Sequence, residues 1–218
     1  MKQLALNRRK FISLSGLAGA GLVLGLSSKA HEARQVANLS FAGESFELTP
    51  YVVIEKNGTI IIYNTKPEIG QGVYQSIPAI IAEELEVSLD QVTIKQSGGE
   101  KKFGEMQFAG GSMSVRSEYE NLRKVGASGR EMLIAVASEG WGVPSGECYA
   151  SAAKVFHKPS GKSVSYAALA EKAAALPVPQ APKLKDAKDF KILGKPSPRP
   201  DVPLKSSGKA IFGIDVSE

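Results

Sequence analysis

Glu68-Ile69-Gly70-Gln71-Gly72-Val73 stands where an extended segment gives way to a helix, and its reading sets the fold on both sides. Upstream, Val52, Ile54, Ile60 and Ile62 alternate around Asn57-Gly58, the pattern of two strands joined by a tight turn over 51–64. Downstream, Val73, Ile77, Ile80, Ile81 and Leu85 recur at helical spacing, which predicts a helix over 72–86. Gly70 and Gly72 therefore flank a helix start. Glycines there let a backbone approach a ligand closely, and the first turn carries unpaired N–H groups and the positive dipole end, which favour an anion. Gln71 adds an amide that donates and accepts at once. A Gly-x-Gly in this place also serves as a plain tight turn, so the motif alone leaves both readings open. Val92-Thr93-Ile94-Lys95 follows as a third strand, giving the order strand, strand, helix, strand.

A second segment, Phe108-Ala109-Gly110-Gly111-Ser112-Met113-Ser114-Val115-Arg116-Ser117, precedes a long helical stretch. Ser112 and Ser114 are suited to capping it, and with Gly110 and Gly111 they form a backbone-rich surface able to bond a phosphate or a heterocycle. Two such helix entrances on one small sheet can face a single ligand. The expected fold class is α+β: a two-layer sheet-and-helix unit over 49–175, with helices 72–86 and 117–140 on one face of a sheet made from 51–64 and 92–95.

Taken together, these motifs resemble the molybdopterin-binding large subunit of the xanthine dehydrogenase and aldehyde oxidase family, in its isoquinoline 1-oxidoreductase branch. The likeness also runs through Val53-Ile54-Glu55-Lys56-Asn57-Gly58-Thr59, Ala82-Glu83-Glu84-Leu85, Trp141-Gly142-Val143-Pro144 and Phe190-Lys191-Ile192-Leu193-Gly194-Lys195. It continues to Gly208-Lys209-Ala210-Ile211-Phe212-Gly213-Ile214-Asp215-Val216. The resemblance implies a molybdenum-cofactor-binding domain that helps hold molybdopterin, in its cytosine dinucleotide form, shared with domains outside this chain. At matching positions it implies contacts to the pyranopterin dinucleotide from Gly70, Gln71, Gly72, Gly111, Ser112 and Ser114. Arg116 either pairs with a phosphate or is an exposed helix arginine. The implied chemistry is oxidative hydroxylation of aldehydes or N-heterocycles at the metal centre, with a glutamate as base. No residue here matches the motif of that glutamate, and Glu68 is not assigned to it. The implied partners are a small-molecule substrate and an iron–sulfur electron-transfer subunit.

Of 218 residues, 43% are hydrophobic, enough for one sizeable core. The net charge of +5 is local: five of the 27 bases, Lys2, Arg8, Arg9, Lys10 and Lys29, lie in an acid-free stretch over 1–30, and the other 22 match the 22 acids. No basic patch with interleaved aromatics follows, so nucleic acid is not an expected partner. Cys148 is the one cysteine, which excludes an internal disulfide and an iron–sulfur or cysteine-based zinc site within the chain. His31 and His157 are the two histidines; neither has a second ligand at metal spacing, so solvated or structural roles are expected.

Residues 1–30 have a basic start, an apolar run from Phe11 to Leu26 diluted by four glycines, and small residues before Ala30. Asn7-Arg8-Arg9-Lys10-Phe11-Ile12 resembles the twin-arginine export signal, which implies passage through that machinery to the periplasm in the folded state. The competing reading is an uncleaved amphipathic anchor. A connector is expected over 31–48. A hairpin of Lys154-Val155-Phe156-His157 with Ser163-Val164-Ser165 precedes a helix from Tyr166. From Leu176 to Pro203 lie seven of the twelve prolines with lysines between them, an extended linker over 176–207 that lies on something else. Residues 208–218 read as the first strand of a truncated following domain. Two rival functions remain at this level: an exported α+β binding or interaction module without cofactor, and the nonfunctional remnant of a broken gene. Export by the twin-arginine route predicts that replacing both Arg8 and Arg9 by lysine blocks delivery to the periplasm. Normal delivery of the double variant, followed by cell fractionation, would refute that assignment.

Overall fold

The computed structural model describes residues 44–216; the expected export signal, and the connector as far as residue 43, lie outside them. The sheet next to the Gly-Gln-Gly turn has the strand order β1 (Ser45–Thr49), β2 (Val52–Glu55), β3 (Ile60–Asn64) and β4 (Val92–Gln96). β1, β2 and β3 pair antiparallel, and β3 pairs with β4 in parallel. That parallel step needs a crossover, supplied by helix α1 (Val73–Leu85). Register aligns Phe46, Ile54, Ile60 and Val92 across the sheet, with Val52, Ile62 and Ile94 in the next row of the same face. That face carries the core, where Val52, Ile54, Ile60 and Ile62 join Val73, Ile77, Ile80, Ile81 and Leu85 of α1. On the opposite face, Phe103 lies against Tyr51 and Tyr63 at 5.4 and 5.2 Å between ring centres.

Helix α2 (Tyr119–Trp141) adds Leu122, Met132, Leu133 and Val136 to the same core, so α1 and α2 share one face of the sheet, as the periodicity predicts. Their crossing is unusually close. A Cβ at Gly126 would stand 2.3 Å from the Ile81 carbonyl oxygen and 2.9 Å from the Glu84 Cβ, so only glycine fits there. Helix α3 (Tyr166–Ala174) is capped by Ser165, whose hydroxyl accepts from the Ala168 amide. Its buried Tyr166 hydroxyl donates to the Leu85 carbonyl at 2.8 Å, supplying a partner to a backbone group at the end of α1 that has none within the helix. Burial pushes that phenol well above its ordinary range.

Four features depart from the sequence expectation. Ser45–Thr49, placed in the connector, is a strand with Phe46 and Leu48 turned to the core. A second sheet, β5 (Cys148–Ser151), β6 (Lys154–His157) and β7 (Ser163–Ser165), contains the expected hairpin plus a strand ahead of it. α2 begins at Tyr119 with Glu118 at the cap position, so Ser112 and Ser114 lie in a run of turns and cap nothing. The segment expected as a strand over 208–218 instead closes a 3-10 turn at Gly213–Asp215, where the Asp215 carboxylate accepts from the Phe212 amide at 2.9 Å. A strand needs ladder hydrogen bonds to a neighbour, and this segment pairs with none of the described strands.

The close crossing gives a direct stability test. Gly126→Ala forces α1 and α2 apart against a rigid backbone carbonyl and should cost about 1–3 kcal/mol. Thermal unfolding of the variant against the parent measures it, and an unchanged melting temperature would contradict the packing.

Candidate functional site

The Gly-Gln-Gly turn is closed by its own side chains. Glu68 folds back over it: one carboxylate oxygen accepts from the amides of Gly70 at 2.7 Å and Gly72 at 3.0 Å, the other from Tyr74 at 3.0 Å. Gly70 and Gly72 take φ of 105° and 89°, a left-handed backbone that aims successive N–H groups at one point and that other residues adopt only under strain. Burial by itself would raise the Glu68 carboxyl, but the amides of Tyr74, Gly72 and Gly70, with Arg199 beside it, hold it below its ordinary value. The start of α1 is thus an anion cradle with an internal carboxylate in it. Gln71 is engaged in the same way. Its side-chain oxygen accepts from Ile69 N–H at 2.6 Å and its NH2 donates to the Pro67 carbonyl at 2.9 Å.

Arg199, far along the chain, reaches this turn. Its guanidinium meets the Glu68 carboxylate at 3.2 Å and the Gly70 carbonyl at 3.2 Å, while Asp201 fixes its other side at 2.7 Å. Arg199 and Lys205 together hold the Asp201 carboxyl far below the ordinary range. The proline-rich stretch that holds Arg199 packs along α1 and α2. There it forms one side of a groove of about 920 Å³ whose other sides are Gln71, Gly72 and Ser76 of the turn and α1, and Val115 and Tyr119 leading into α2. Ala187, Phe190, Ile192 and Leu193 are the groove's apolar contributions from this stretch.

The structure therefore brings Gln71 and Gly72 into one groove with Val115, which directly follows Ser114, and with Tyr119 at the start of α2. Gly70 meets it through Arg199. Gly111, Ser112 and Ser114 lie beyond the lining: Gly111 and Ser112 are exposed, Ser112 at a φ of 56°, and Ser114 is half-buried. Arg116 is exposed. His157 is buried, bonded to Glu147 at 2.8 Å and Ser160 at 2.7 Å, a structural placement. Cys148 is buried too, and burial with the nearby Glu147 raises its thiol. Among the described residues, no three His, Cys, Asp or Glu side chains come together to hold a metal.

Glu83 and Glu84 have a role that the sequence reading does not assign them. Both side chains are fully buried in α1. Glu84 takes the Arg123 Nε at 2.8 Å and Arg130 Nη1 at 3.1 Å from α2, and the Lys185 amide at 3.0 Å from the linker. Glu83 takes the amides of Lys191, Ile192 and Leu193 at 2.9, 2.6 and 3.0 Å and pairs with the Lys185 ammonium. Two carboxylates on an apolar helix, with Arg123 and Arg130 two turns apart on the next helix, were the available signal.

A family model described as the molybdopterin cofactor-binding domain matches residues 21–216. The chain belongs to this family. That agrees with the resemblance drawn from the motifs. The chain is 27% identical over 223 residues to isoquinoline 1-oxidoreductase subunit beta of Brevundimonas diminuta, the match covering 80% of this chain and 29% of that protein. It is 30% identical over 223 residues to the membrane-bound aldehyde dehydrogenase (pyrroloquinoline-quinone) of Gluconacetobacter polyoxogenes, covering 98% of this chain and 28% of that one. Against the crystal structure of quinoline 2-oxidoreductase from Pseudomonas putida 86, 58% of this chain and 16% of that chain superpose with a TM-score of 0.44 at 18% identity. This chain thus spans under a third of the length of the two curated relatives.

The residues present fit such a cofactor by their chemistry. A Cβ added at Gly70 or Gly72 would meet nothing within 4 Å, so the turn is open to an approaching group. The Glu68 carboxylate stands in for the anionic oxygens the cradle would take. Gln71 offers the donor-acceptor pair that the edge of a fused heterocycle requires.

Proposed function

We propose that this chain is the N-terminal part of a molybdenum hydroxylase large subunit and helps bind a pyranopterin dinucleotide in its cytosine form. The observation that carries the reading is the groove in which the Gly-Gln-Gly turn and the entrance to α2 meet, within a chain of the molybdopterin cofactor-binding family. Gln71 would pair with the pterin edge, the amides of Gly70 and Gly72 with phosphate oxygens, and Gly111, Ser112 and Ser114 would close on the ligand from the second entrance. When bound, the cofactor supplies the redox centre for hydroxylating an electron-poor carbon. This chain's share is to bind, orient and shield it; the base and the substrate funnel belong to regions outside the chain.

On this reading the substrate is a small aldehyde or N-heterocycle, electrons leave through an iron–sulfur subunit, and the protein works in the periplasm after twin-arginine export. Two of the named relatives, an isoquinoline oxidoreductase subunit and an aldehyde dehydrogenase, support that substrate range. A second reading, an exported binding module without cofactor, is favoured by one observation: Glu68 and Gln71 are already satisfied within their own turn.

Molybdenum and pterin content of the complete protein purified from its native host separates the two readings. Gln71→Ala removes the amide from the ligand and leaves the polar groups it faces unpaired, a loss of about 1–3 kcal/mol in cofactor binding. Gln71→Glu should do worse, because a carboxylate cannot donate to the pterin edge and repels the cofactor's phosphate. Both variants are expected to keep their melting temperature and lose molybdenum; full metal content in both would defeat the cofactor reading.

A further inference from the structure

The groove beside Gln71 owes one side to a segment with little regular structure, and that segment is held from beneath by two buried carboxylates. Glu83 and Glu84 lie one turn along α1 from Ala79 and Ile80, which line the groove. We propose that they are positioning residues for the cofactor groove: they touch no ligand, but set where Phe190, Leu193 and Arg199 stand opposite Gln71 and Gly72. This rests on the cofactor reading above.

The geometry is specific. A single oxygen of Glu83 accepts from three successive backbone amides, Lys191, Ile192 and Leu193, at 2.9, 2.6 and 3.0 Å. Three successive donors on one acceptor fix the direction of the backbone as well as its distance, and the Leu193 side chain is thereby turned into the groove. The Lys185 ammonium bridges Glu83 to Glu86, 2.9 Å away. Glu84 fixes the segment a second time through the Lys185 amide at 3.0 Å. It also recruits Arg123, whose Nη2 donates to the Lys185 carbonyl at 2.6 Å and whose guanidinium lies 5.1 Å from the centre of the Phe190 ring. Arg130 binds the Glu84 carbonyl at 2.6 Å and also the Lys183 carbonyl.

Stability alone does not call for this arrangement. Burying carboxylates is costly unless every oxygen is paired, and an apolar pair of similar volume commonly stabilises a core as well or better. What carboxylates supply and leucines cannot is a fixed set of acceptors for a chain that has no ladder of its own. That chain then continues through Ser197 to Arg199, which closes on Glu68 and Gly70. Position at the groove is thus passed from α1 to the linker and back to the turn at the start of α1.

The test uses the complete protein purified from cells, with two readouts: hydrogen exchange by residue and molybdenum per chain. In Glu83→Met the side chain is of similar length but has no oxygen to accept from the three amides, which all donate to one Glu83 oxygen. Exchange at Lys191, Ile192 and Leu193 should rise about tenfold or more, while β2 and β3 keep their protection and molybdenum is lost. Lys191→Pro deletes one of the three donors from the linker side, leaves α1 and the groove-lining side chains in place, and should raise exchange at Ile192 and Leu193 and lose molybdenum. Equal loosening of β2 and β3 would mean a merely structural role and overturn the proposal. So would a loosened linker with full molybdenum in either variant. Absence of molybdenum from the unaltered protein is a different result: it defeats the cofactor reading itself, and this proposal with it.

Discussion

Two adjacent carboxylates, buried in an otherwise apolar helix, are the constraint on which the rest of this structure depends. Left without partners, each would be driven to protonate or to leave the core. Glu84 is instead met by Arg123 and Arg130 from α2, and Glu83 by Lys185 and three linker amides. The pairing fixes three things at once: the approach of α2 to α1, the path of the proline-rich segment, and the shape of the groove between them. The missing Cβ at Gly126 belongs to the same junction, because it lets α2 come close enough for its arginines to reach Glu84. Both guanidinium groups also bond linker carbonyls, so helix, helix and linker form one network.

The turn that begins α1 shows a different economy. Its amides form a cradle for negative charge, and Glu68 and Arg199 occupy it from within the chain. A chain that carries its own carboxylate in an anion site keeps its backbone donors satisfied when no ligand is there. The same contact joins the proline-rich segment to the turn, so a ligand that displaces Glu68 also acts on Arg199. Binding and the placement of the linker are therefore coupled in the geometry.

The parts legible in the sequence were those written locally. Alternation around Asn57-Gly58 and the apolar spacing from Val73 to Leu85 specify β2, β3 and α1, because each follows from the period of its own backbone. Ser45–Thr49 escaped because only Phe46 and Leu48 are apolar among polar neighbours, and it lies at the sheet edge. The strand pattern near Ile211 misled for the converse reason: alternation is local, but a strand also needs ladder bonds to a neighbour, and this segment makes none with the described strands. Of the site, the turn was legible and its internal closure was not. The ion pair of Glu68 with Arg199 spans 131 residues, and the contacts of Glu83 with Leu193 span 110; nothing local encodes either. Gln71 was read as offering its amide to a ligand, and in the structure that amide bonds Ile69 and Pro67.

The central claim is that the groove between the Gly-Gln-Gly turn and the linker receives the pterin cofactor. The most direct measurement is an experimental structure of the complete protein purified with its molybdenum. The account predicts ligand density in that groove, the Gln71 amide released from the Pro67 carbonyl and turned to the ligand, and the linker still seated on Glu83 and Glu84. Cofactor bound elsewhere, with Gln71 still closed on Ile69 and Pro67, would contradict it.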